Sequence, residues 1–224
     1  MGRGPATETA GVASEKRLRP DSPRSVGVAS IAAYIAAVGA CEITRRTAGF
    51  PEPSDVALSP AALAAGKVWL LLTSAFLVSG PPLAELAGLT LAAVLLVRRA
   101  GPAAFWRAAI AGHVIATLVA YAGVGVLWLA DRATVVAVVH DRDFGVSGVW
   151  LGVLGALFAV TWRSLRADLH RAGDRILAFA CVTAPAIGTI FFPPLSGAEH
   201  ALAFAAGAGL QFGVQSTWRE RACT

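Results

Sequence analysis

Long uninterrupted apolar stretches constrain this chain more than any other feature. A backbone entering lipid must satisfy its own N–H and C=O groups, so only helices and closed barrels can carry such stretches. The stretches here lack the alternation over about ten residues that marks barrel strands, so helices are expected. The composition agrees: of 224 residues 56% are hydrophobic and 15% charged, and the mean hydropathy is +0.63. A single membrane domain of several spans follows.

The expected fold class is all-α, a polytopic membrane bundle of six transmembrane helices. The spans are expected over 26–43, 83–97, 104–130, 146–162, 176–192 and 199–214. Residues 1–24 are rich in Gly, Pro, Ser and charge and are expected to be a disordered basic tail. The membrane domain then covers 25–215, and 216–224 form a short second tail. The first apolar stretch has no convincing cleavage site after it, so it is taken as a span and not as a signal peptide. Between the first two spans, residues 67–78 are apolar but bounded by Gly66 and by Gly80-Pro81-Pro82. At about ten to twelve residues this segment is too short to cross, which predicts an interfacial or re-entrant piece; a seventh span is the competing reading. Pro185 is expected to kink the fifth span and Pro193-Pro194 to end it. Trp128, Trp150 and Trp162 fall near span ends, where interface anchors sit.

Charge sets the expected orientation. With the N-terminus in the cytoplasm, one side collects the five basic residues of the first tail together with Arg98, Arg99, Arg107, Arg163, Arg166, Arg171, Arg175, Arg219 and Arg221. These make 14 of the 19 lysines and arginines; Arg45, Arg46, Lys67, Arg132 and Arg142 face the other side. The positive-inside rule therefore puts both termini in the cytoplasm. High Ala, Gly and Arg with a single Met points to a GC-rich genome and a bacterial plasma membrane. The net charge of +5 does not point to nucleic acid, because the basic residues form no stripe and have no interleaved aromatics. Cys41, Cys181 and Cys223 have neither metal spacing nor a pairing pattern. There is no GxGxxG, no Walker loop and no HExxH, so no cofactor or metal is expected.

One stretch stands apart, Asp143-Phe144-Gly145-Val146-Ser147-Gly148-Val149-Trp150. It sets a hydroxyl between two glycines at the mouth of the fourth span. Six spans with an inside N-terminus send spans four and six across in the same direction. Ser147 and His200, each at the start of one of them, are thereby placed near the outer face at similar depth. A serine hydroxyl is a weak nucleophile until a base takes its proton, and histidine is the usual base. Gly145 and Gly148 leave room for close approach, and free N–H groups at a helix start favour a developing negative charge. Small residues in membrane helices also serve packing alone, and a histidine at a helix end is often only interfacial.

On these residues the chain resembles the rhomboids, a family of intramembrane serine proteases. Gly145-Val146-Ser147-Gly148 matches the family's GxSG nucleophile motif. His200 is followed at three and seven positions by Ala203 and Gly207, where the family has small residues. Trp69, Thr73 and Phe76 follow the family's W-R-x-x-T-x-x-F-x-H segment, with Leu70 in place of its arginine and Val78 in place of its histidine. The resemblance covers most of 67–214 and implies a Ser147–His200 dyad without a third acid. It also implies membrane-protein substrates cut near the outer face. The family's span-two histidine and asparagine, which help to hold the oxyanion, fall on Leu83 and Ala87, and neither can donate. Losing one such donor typically costs about a hundred- to a thousandfold in rate.

Two polar residues inside spans are further candidates. His113 is a possible stand-in donor to the oxyanion or, alternatively, a helix–helix hydrogen bond. Glu85 could donate only if protonated. Glu199 points about 100° from His200 on a helix and is not expected to complete a triad. The sequence therefore predicts a rhomboid-like protease in the lipid bilayer. An inactive relative that binds transmembrane helices and a small transporter are the rival readings.

Overall fold

The computed structural model describes residues 23–168, 170–191 and 194–222 and, within them, no side chain at 184, 187–191 or 214–222. Of the expected tail over 1–24, residues 1–22 lie outside the described residues, as do the Phe192-Pro193 step and Cys223, while Pro23 and Arg24 already belong to a helix. Six long helices form the body: α1 Pro23–Ala48, α2 Pro82–Ala100, α3 Pro102–Ala130, α4 Val146–Ala167, α5 Ala172–Phe191 and α6 Pro194–Ala222. Among the described residues there is no strand, only an isolated bridge between Leu58 and Asp143. Among the described residues three helices, α1, α3 and α4, are long and apolar enough to cross a membrane. By contrast, α2 carries Glu85, Arg98 and Arg99 within its 19 residues.

Helix boundaries follow local chemistry. Pro82 and Pro102 open α2 and α3, where a missing N–H costs nothing. α6 begins at Pro194, more than a turn before the expected boundary at 199, so His200 sits in its second turn and not at its start. α5 runs through Pro185 as one helix.

α4 is the axis of the bundle, packing against α2, α3, α5 and α6, while α1 lies against α2 and the start of α3. Close approach is written into a seam of glycines. A Cβ on Gly112 of α3 would meet the Gly148 carbonyl and Gly152, and one on Gly207 of α6 would overlap the Gly152 carbonyl. Ala203, fully buried, lies one turn earlier on α6. Small residues in these rows let backbones touch, which drives helix association where lipid offers no hydrophobic gain. At the Gly112 contact α3 widens into a π turn over Ala111–Ile115. Such turns add a residue to the helix and are found mostly as single insertions near functional sites. Around the seam, Leu89, Leu96, Phe105, Val153 and Leu157 form the apolar core.

The 67–78 segment does not form a span. It folds as a helical turn, Leu70–Thr73, followed by a 3₁₀ turn, Ser74–Phe76. Such short turns leave carbonyls without partners, and in an apolar setting each must find one. The partners come from the long helices and from the chain entering α4. Tyr34 donates to the Ala75 carbonyl at 2.7 Å, and the Gly145 N–H donates to the Ser74 carbonyl at 2.9 Å. The His113 ring reaches the Leu71 carbonyl at 2.7 Å. The segment is thereby clamped against the start of α4.

Candidate active site

Ser147 is the second residue of α4 and is 7% exposed; His200 on α6 is 4% exposed. The glycine seam holds these two helices close, and it sets His200 Nε2 at 3.0 Å from Ser147 Oγ. That is hydrogen-bond distance for a nucleophile and its base. The hydroxyl has one proton and a second acceptor within reach, the Phe144 carbonyl at 3.2 Å. Only the rotamer that donates to Nε2 activates the oxygen, and it requires a neutral ring with that nitrogen bare.

Gly145 is required by its neighbour: a Cβ there would overlap the ring of His113. Gly148 is looser, with Gly112 and His113 just beyond where its Cβ would sit. His113 thus packs beneath the Gly145–Gly148 turn and anchors the Leu71 carbonyl from its other side. Its Nε2 must carry the proton for that bond, with the Ser74 hydroxyl 3.4 Å from the same nitrogen. Nδ1, on the Gly145 side, has no partner among the described residues and in this tautomer accepts but does not donate. His113 supports the site by packing and anchoring.

The backbone supplies other donors. At the start of α4 the Val146 N–H bonds the Leu77 carbonyl and the Val149 N–H bonds the Gly145 carbonyl. The N–H groups of Ser147 and Gly148 lie between them, at the positive end of the helix dipole. Leu83 is 85% exposed and Ala87 is also exposed, so the register that assigns them to the oxyanion positions turns both away from Ser147. The buried face of α2 there belongs to Glu85, whose Oε1 accepts from the Gly80 N–H at 2.6 Å and from the Ser79 hydroxyl at 3.1 Å. It serves to fix the turn entering α2.

A cavity of about 270 Å³ opens on Ser147, and Ser79, Asp141, Arg142, Asp143, Leu195, Ser196 and Glu199 also line it. Asp143 is held in place by its backbone, which exchanges bonds of 2.7 and 3.3 Å with Leu58. Burial pushes its carboxyl up to about 6, partly opposed by a hydrogen bond from the Phe144 N–H. Glu199 and Asp143 are separated by more than fifty positions in sequence, and only the docking of α6 on α4 brings them to one cavity. Glu199 was visible as the residue before a candidate base and Asp143 as the first residue of the stretch that stands apart; that they share a cavity was not visible. Among the described residues no group of three or more His, Cys, Asp or Glu could hold a metal ion.

No protein-family model, curated protein or solved structure matches the chain.

Proposed function

We propose that the chain is a rhomboid-like intramembrane serine protease, of six spans with both termini cytoplasmic, that hydrolyses peptide bonds of membrane proteins near the outer face. The observation that carries this reading is the 3.0 Å contact between Ser147 Oγ and His200 Nε2, both buried, beside a cavity large enough to admit part of a peptide. The GxSG match and the charge bias of the loops support it from the sequence side.

In this mechanism His200 takes the Ser147 proton as the oxygen attacks the scissile carbonyl. The negative charge that develops is met by the N–H of Ser147 or Gly148 at the helix start. His200 then returns the proton to the departing amine. Water repeats the sequence on the acyl-enzyme and regenerates Ser147. Nothing in this scheme calls on a side-chain donor from α2, and the outward-facing Leu83 and Ala87 supply none.

The test is labelling of the purified protein in detergent with a fluorophosphonate, a probe of activated serines. Labelling is expected in the native chain and lost in both Ser147→Ala and His200→Ala. In His200→Ala the rate is expected to fall by about a hundred- to ten-thousandfold. A folded native protein that does not label favours the inactive helix-binding relative, with Gly145 and Gly148 serving packing alone.

A further inference from the structure

The cavity beside Ser147 is more acidic than peptide hydrolysis requires. Asp141, Asp143 and Glu199 line it, against one positive charge from the exposed Arg142. Glu199 is 7% exposed, and its Oε1 has no hydrogen-bond partner among the described residues. The Tyr121 hydroxyl of α3 is also buried without a partner among the described residues, within electrostatic reach of Asp143 and Glu199. Buried carboxylate oxygens are normally hydrogen-bonded or paired with a cation, so Glu199, which lines the cavity, marks a place where something binds.

Two features restrict what it is. No group of three ligating side chains converges on one point among the described residues, so a bare metal ion is a poor fit. The cavity, at about 270 Å³, is also below the roughly 300–1,000 Å³ of sites that hold whole small molecules. An extended organic cation with several N–H donors, carried on a longer chain, answers both. It can reach separated carboxylates, while the rest of the ligand stays outside.

We propose that the cavity recognises a cationic side chain, lysine or arginine, next to the bond that Ser147 attacks. This rests on the protease reading above and names its substrate class: membrane segments bearing a basic residue at the outer end. Asp143 and Glu199 would be the specificity residues.

The test measures binding, so that it does not depend on turnover. A fluorescent synthetic transmembrane peptide with one lysine at its outer end is titrated against the full chain carrying Ser147→Ala in nanodiscs. The same peptide with glutamine at that position is the control. The lysine peptide is expected to bind at least tenfold more tightly, and Asp143→Asn or Glu199→Gln, each added to Ser147→Ala and checked for a melting temperature no lower than that of Ser147→Ala alone, should cut that ratio at least threefold. Two variants from different elements guard against a local folding defect in either one. Equal affinities for the two peptides, binding of neither, or a preference that survives both substitutions would overturn the proposal. Fluorophosphonate labelling of the native chain reports on the protease reading separately. Labelling without a lysine preference sinks only the cationic site; a lysine preference without labelling sinks the protease and leaves the site.

Discussion

The two ends of α4 solve the problem of buried polar groups in opposite ways. Near its C-terminal end, Arg99 of α2 donates to Asp174 of α5 at 2.8 Å and to Thr161 of α4 at 3.1 Å, and Ser164 donates to the other oxygen of Asp174 at 2.7 Å. Three helices are stapled together there, and both oxygens of the carboxylate have a partner. At the Ser147 end, about 21 Å away along the helix, Glu199 Oε1, Tyr121 Oη and His113 Nδ1 have no partner among the described residues. The Asp174 carboxylate is satisfied on both oxygens at one end, while Glu199 keeps an open oxygen at the other. The difference teaches that backbone contact along the glycine seam does much of the holding at the Ser147 end, so that some buried polar atoms there can stand without partners among the described residues.

Gly207→Ala should break the comparison outright. Its methyl would overlap the Gly152 carbonyl, so α6 must move away from α4 and His200 with it. The expected outcome is a stability loss above the roughly 1–3 kcal/mol usual for over-packing, together with loss of fluorophosphonate labelling. Normal labelling in Gly207→Ala would show that the seam does not position the dyad.

Arg99→Ala should separate the two ends. Removing the partner of a partly buried carboxylate is expected to cost about 1–2 kcal/mol, allowing for the partial exposure of the arginine. A melting temperature lower by about 3–6 °C is the readout, with labelling of Ser147 unchanged. A parallel fall in labelling would mean that the ends are coupled through α4.

Asp143→Asn sharpens the contrast by pH. In the folded chain this carboxyl keeps its proton to about pH 6, against an ordinary value of 3.8. The folded state binds the proton more tightly than the unfolded one, so stability falls as pH rises through that window, and the penalty is fully present above it. Asp143→Asn should therefore raise the melting temperature by about 2–4 °C at about pH 7.5 and by little at about pH 4. An equal gain at both would place the cause elsewhere.

The smallest effect is expected from Leu83→His, which restores the residue type that the resemblance puts there. Because position 83 faces outward, stability should stay within about 0.5 kcal/mol and labelling should not rise. A marked rise in labelling would show that the register holds after all.

Hydropathy is a local property, which is why the positions of the long helices were legible in the sequence. In the sequence an expected span count and charge bias pair Ser147 with His200, and the two side chains lie 3.0 Å apart. What escaped depends on packing between distant segments. Nothing local says that Leu83 faces outward while Glu85, two residues on, is buried and fixes the Gly80 turn. The meeting of Asp143 with Glu199 depends on how α6 docks. His113 was visible as a polar residue in an apolar run, but its contact with Leu71 needed the fold of a segment whose turns no periodicity announces. The start of α6 was missed because Pro193-Pro194 reads as the end of the fifth span, whereas Pro194 opens the next helix.

The π turn in α3 has a consequence for how such a gene can change. A π turn spends one more residue per turn than the helix around it, so the two halves of α3 keep their own faces only while that extra residue is present. Deleting a single codon within Ala111–Ile115 would leave a regular helix in good reading frame. Everything after it would be rotated by about 100°, carrying Ala120, Tyr121 and Val124 off the faces on which they are now buried. A loss of one residue here is therefore far costlier than a substitution, and the length of α3 is as much a part of its message as its composition.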